Sequence, residues 1–182
     1  MKLPEIKLEP VRIAEAAPSV IFLLLWRTGQ DPQMAGWVGC GLATLLLGGF
    51  LILRRRFHPI MLGINIHLLL AAPVINGIFE AGYPDAGRFL VEYAETGVIV
   101  VVFLTGIALT FLSRGGFLGE PDVAWHIRWR FSLLMLILAG GMIPFSITNH
   151  EMPLLAVAGP ILVLFLLRGY LAKLALGKGD PS

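Results

Sequence analysis

Ile13 to Trp26, IAEAAPSVIFLLLW, decides the fold of this chain, because its reading makes the number of membrane spans six or five. Only fourteen residues separate Arg12 from Arg27, and Glu15 and Pro18 lie among them. A helix needs about 20 residues to cross the hydrocarbon, and about 17 is a usual minimum. Length alone would make this a re-entrant or interfacial segment. Charge reads the other way. If the stretch crosses and the N-terminus is cytoplasmic, twelve of the 14 Lys and Arg residues fall on the inner side. They are Lys2, Lys7, Arg12, Arg54, Arg55, Arg56, Arg114, Arg128, Arg130, Arg168, Lys173 and Lys178. Only Arg27 and Arg88 face out. This is the positive-inside bias of a polytopic membrane protein. Without the crossing, Lys2, Lys7, Arg12 and Arg27 would lie opposite Arg54 to Arg56 and the bias would weaken. The stretch therefore reads as a short crossing, extended at its ends by snorkelling side chains.

Five longer apolar stretches follow: Met34 to Leu53, Pro59 to Phe79, about Phe89 to Leu112, Phe131 to Thr148, and Pro153 to Ala172. The expected fold is all-α, a six-helix transmembrane bundle over 13–173. A cytosolic arm, 1–12, precedes it and a cytosolic tail, 174–182, follows, so both termini are expected in the cytoplasm. Short loops make consecutive helices antiparallel neighbours. The exception is 113–130, on the inner side. There Glu120-Pro121-Asp122 resembles a helix start. Trp125 and Trp129, four apart, share one face, which predicts a short interfacial helix running into the fifth span. Trp and Tyr prefer the headgroup levels. Trp26, Trp37, Tyr83 and Tyr93 fall at expected outer ends, and Trp125, Trp129 and Tyr170 at inner ends.

Hydrophobic residues make up 57% of the chain and charged residues 14%, against about 45–50% and 25% in soluble domains. A separate soluble domain has no room. The acids divide six and six, which gives the inner side +6 and the outer side −4. A basic inner face suits anionic membrane lipids. Its charges are spread over four segments, so nucleic acid is not an expected partner. The lone Cys40 excludes an intrachain disulfide and a thiolate metal cluster. The charged N-terminus, with Pro4 and Pro10, does not read as a cleavable signal peptide.

Three groups of residues are candidates for function. His67 lies near the middle of the third span, where an ionisable group points to a functional site by default. Asn65 and Asn76 share that span, on a face roughly opposite His67. Read functionally, the three line a proton or substrate path; read structurally, His67 is neutral and bonded to a neighbouring helix. Glu80, Asp85, Glu92, Glu95, His150 and Glu151 collect on the outer side, as a cation site or a solvated acidic rim. Arg88 is four before Glu92, an ion-pair spacing. Ala35, Gly39 and Ala43 recur every four residues on the second span, the small-xxx-small pattern of close helix packing. His58 and His126 lie near the inner surface and invite comparison with axial haem ligands, but no haem-attachment sequence accompanies them. No phosphate-binding loop, HExxH, GxSxG or CxxC is present. No catalytic residues, metal or cofactor are expected.

The layout resembles the intracellular septation protein A-like group of small bacterial inner-membrane proteins. The resemblance rests on Leu23-Leu-Leu-Trp-Arg27, on Leu53-Arg-Arg-Arg56 followed by Pro59-Ile-Met-Leu62, on Gly87-Arg-Phe-Leu-Val-Glu-Tyr-Ala-Glu-Thr-Gly97, and on Trp125-His-Ile-Arg-Trp-Arg-Phe131. It covers most of the chain, by layout more than by identity. The Lys-Pro-rich entry to a later span, associated with the septation proteins proper, is absent. The resemblance implies a multi-pass, non-enzymatic envelope protein of the inner membrane, with a structural or division-associated role. Its implied partners are lipids, further copies of itself or other membrane proteins. A small transporter with a path near His67 is the competing expectation.

Overall fold

The computed structural model describes residues 10–29, 31–149, 151–152 and 154–177. Most of the predicted arm, most of the tail, His150 and Pro153 lie outside the described residues. Seven α-helices carry the described chain: α1 (Pro10–Arg27), α2 (Pro32–Ile52), α3 (Pro59–Glu80), α4 (Pro84–Glu92), α5 (Ala94–Leu112), α6 (Trp125–Thr148) and α7 (Gly159–Gly177). A single π turn, Leu154–Ala158, leads into α7. No strand occurs among the described residues.

Proline sets several of these boundaries. α2, α3 and α4 each carry proline in the first turn. A missing N–H costs nothing there, because the first helical amides have no intrahelical acceptor. At α2 the Asp31 side chain accepts one of those amides, from Gln33 at 3.2 Å. At the far end of α2, Arg54 adopts a left-handed φ of 50°. Arg55 N–H then reaches back to Phe50 O at 3.0 Å, which closes the helix.

Among the described residues, five helices are long and apolar enough to cross a membrane: Gln33–Ile52, Pro59–Glu80, Ala94–Leu112, Trp125–Thr148 and Leu155–Gly177. They mark an integral membrane protein. α1 is an eighteen-residue helix, about 27 Å long, against about 30 Å of hydrocarbon. It is not among the five.

The structure departs from the sequence reading in three places. The predicted fourth span, 89–112, is two helices. The chain breaks at Tyr93, so that Phe89 to Glu92 belong to α4 and the apolar helix starts at Ala94. The break follows the pattern of the residues: α4 is short and strongly amphipathic, whereas α5 is apolar all round. Gly87 of α4 seats against the ring of Phe79 at the end of α3. The segment Glu120 to Ala124 forms turns rather than a helix start, and α6 begins only at Trp125. Trp125 and Trp129 do stack on one face, with ring centroids 5.8 Å apart. Pro10 to Arg12, assigned to the cytosolic arm, are already part of α1.

α3 is the hub, packed against α1, α2, α5 and α7. α6 packs against α5, and α7 against α6. A buried hydrophobic cluster joins Ile60, Val102, Met135 and Leu164 to Phe117 and Leu118, all of them fully buried. Those last two belong to the loop between α5 and α6, so this loop is a plug rather than a surface connection. A loop folded into a bundle must find partners for its backbone. Ser132 Oγ accepts the N–H groups of Phe117 and Leu118, at 3.1 and 3.3 Å. The Leu118 carbonyl accepts from Arg168 Nε at 2.9 Å. The Phe117 ring lies over Gly106 of α5, whose missing side chain makes the space.

Candidate functional site

The plug brings together charged groups that lie far apart in the sequence. Arg168, on α7, is the centre. Its side chain is only 13% exposed. Besides the Leu118 carbonyl, its guanidinium donates to His58 Nε2 at 2.8 Å and to Glu120 Oε1 at 3.2 Å. Arginine has donors and no acceptor. His58 Nε2 therefore accepts, which places the imidazole proton on Nδ1. The ring of His58 stacks on Phe165, one turn before Arg168 on the same helix, at 4.6 Å between centroids.

His58 is also the residue that opens α3. Its backbone N–H donates to Glu15 Oε1 at 3.2 Å. Glu15, on α1, is 3% exposed. A carboxylate at a helix N-terminus meets both an orphan amide and the positive end of the helix dipole. Two turns along α3, Asn65 Nδ2 donates to the Glu15 carbonyl at 3.0 Å and to Met61 O at 2.8 Å. A single polar constellation thus ties together α1, α3, the plug and α7. Its bonds are saturated along Arg168, and it presents no nucleophile beside a base. The arrangement clamps elements together.

The three residues of the predicted path do not converge. Asn65 faces α1. His67 is half-buried against α5, with its Cε1 atom over Gly97. Asn76 lies near the C-terminal end of α3, where its Oδ1 accepts from Gln33 of α2 at 2.6 Å and its Nδ2 donates to Ala72 O at 2.8 Å. Of the predicted outer acidic cluster, Glu80, Asp85, Glu92 and Glu151 are exposed and Glu95 is half-buried. Arg88 pairs with Asp85 at 3.0 Å, three residues back, instead of with Glu92. Among the described residues no three of His, Cys, Asp and Glu are placed to hold a metal ion. His150 lies outside those residues. On α2, Ala35 and Ala43 are fully buried. Gly39 lies against Leu68 of α3 and Phe22 of α1. This small-residue face is occupied within the chain. His58 is engaged by Arg168, and His126 is exposed at the start of α6; the two do not form an axial pair.

The sequence reading missed the clamp because it sorted Arg168 and Glu120 as inner-surface charges and took Glu15 as a blemish in a short span. One signal was available. Arg168 and Glu15 are opposite charges inside predicted spans, and charges in that position require partners.

No protein-family model matches the chain, and no curated protein or solved structure matches it.

Proposed function

We propose that the chain is a structural or scaffolding protein of the bacterial inner membrane, with the division-associated role that its septation protein A-like layout implies. The observation that carries this reading is the divergence of the intramembrane polar residues. Asn65, His67 and Asn76 each meet a different helix, whereas a transport path needs them on a common surface. Polar groups used in this way fix helices against one another. The small face of α2 is filled by α1 and α3, so further copies of the chain or other membrane proteins meet its remaining outer faces.

The test is genetic and direct. Cells lacking the chain are expected to lengthen or to place septa aberrantly, and the His67→Ala chain is expected to restore them. Normal division in the deletion strain would remove the division-associated role. A His67→Ala chain that is folded and abundant but fails to restore division would favour the transporter. Vesicles carrying the purified chain are expected to hold a proton gradient as long as empty vesicles do.

A further inference from the structure

We propose that the inner end of the bundle binds the phosphate headgroup of an anionic phospholipid, in a cleft between the α2–α3 connection and the start of the plug. The cleft has a volume of about 350 Å³, within the range of small-molecule sites. Arg55, Arg56 and Arg114 line it, and Phe57, Leu62 and Leu109 form its apolar wall. No carboxylate lines it among the described residues. Three cations without a local acid make an anion site, and guanidinium is suited to phosphate because its planar fork matches two oxygens at once.

The backbone holds these cations in place from both sides. Arg54, in its left-handed conformation, stands where glycine usually closes a helix. The turn delivers Arg55 and Arg56 directly to the cleft. On the opposite wall, Arg128 of α6 donates to the Arg114 carbonyl and fixes that end of the plug.

The surroundings favour a lipid over a free phosphate. Leu51, Ile52 and Leu53 precede the first arginines, and Phe111 and Leu112 precede Arg114. All five are strongly exposed, Leu112 to 86%. Cations at headgroup level beside bare apolar side chains match a molecule that is charged at one end and acyl at the other. Arg54, Arg128, Arg130 and Arg168 lie at this same end of the bundle, the side expected from the charge balance to face an anionic cytoplasmic leaflet. The inference rests on membrane embedding and on the cytoplasmic placing of this end, and not on the scaffolding role.

The experiment uses the full chain in neutral detergent, with thermal unfolding followed by tryptophan fluorescence. Dioctanoyl phosphatidylglycerol, dioctanoyl phosphatidylcholine and inorganic phosphate are titrated separately. Phosphatidylglycerol is expected to raise the unfolding temperature saturably, and the other two are not. Each of Arg55→Gln, Arg56→Gln and Arg114→Gln is expected to weaken the phosphatidylglycerol response about fivefold. Arg88→Gln, at the outer end, is expected to leave it unchanged. An equal response to phosphatidylcholine, or single variants that all bind like the wild type, would overturn the site. A response to inorganic phosphate as large as that to phosphatidylglycerol would overturn the lipid assignment.

Discussion

At the scale of single residues, a close contact between α3 and α5 depends on a missing methyl group. A Cβ added at Gly63 of α3 would lie 2.7 Å from Val102 Cα of α5. A backbone atom cannot rotate away, so the helices must separate. Gly63→Ala is expected to cost about 1–3 kcal/mol, read from the unfolding midpoint in detergent. Gly41, also helical, has nothing within 4 Å of its would-be Cβ. Gly41→Ala is expected to be neutral or mildly stabilising, since alanine is the better helix former. Equal effects from the two substitutions would mean that α3 and α5 are not in contact. Ser132 makes a second point at this scale. Its hydroxyl oxygen is the acceptor for two buried amides of the plug. Ser132→Ala removes that acceptor without adding bulk, and is expected to cost about 1–2 kcal/mol. The loss is local, so trypsin should cut faster at the exposed Arg114. Unchanged cleavage there would show that the plug does not depend on Ser132.

At the scale of elements, charges from which the topology is predicted also join the helices. Glu15 weakens α1 as a hydrophobic span, yet it caps α3 through His58 N–H. Glu15→Gln keeps a carbonyl oxygen that can accept this bond. Glu15→Leu leaves the amide buried and unpaired, and is expected to cost about 1–3 kcal/mol more than Glu15→Gln. Identical unfolding midpoints for the two variants would mean that Glu15 does not act as a cap. The helices themselves were legible because apolar runs of this length have few alternatives in lipid. The break at Tyr93 was not, since Phe89, Leu90 and Val91 carry apolar residues up to it, although α4 as a whole is much more polar than α5 and strongly amphipathic. The plug was invisible for a different reason. Gly115, Gly116 and Gly119 mark a loop, but the burial of Phe117 and Leu118 depends on Ser132 and Arg168, contacts that local pattern does not encode. The candidate site was legible in the same uneven way. Asn65 and His67 were singled out by depth alone, while the clamp depends on which helices happen to be neighbours.

At the scale of the whole molecule, the side on which each loop lies is what the charge balance predicts and the bundle by itself leaves free. α1 decides only the side of the residues that precede it. With Arg54 to Arg56 inside, as the charge balance predicts, Thr28 lies outside and Ser113 at the start of the plug lies inside whether or not α1 crosses. Both positions are reachable: Thr28 is exposed and Ser113 half-buried. The single native thiol, Cys40, is buried and donates to Leu69 O at 3.3 Å. Its replacement by alanine removes the background label. In that Cys40→Ala chain, Thr28→Cys is expected to react with a membrane-impermeant maleimide in intact cells, and Ser113→Cys only after permeabilisation. Arg88→Cys reports the outer side independently, because it lies between α3 and α5, which are both long enough to cross. Labelling of Ile13→Cys, at the exposed start of α1, alongside the expected labelling of Thr28→Cys and Arg88→Cys in intact cells would make α1 an interfacial helix and reduce the spans to five. The inner end would then lose the cations that precede α1, while Arg55, Arg56 and Arg114 of the lipid cleft would stay on the cytoplasmic side. Loss of labelling at both Thr28→Cys and Arg88→Cys, with Ser113→Cys reactive in intact cells, would invert the orientation and place the basic cleft against the wrong leaflet.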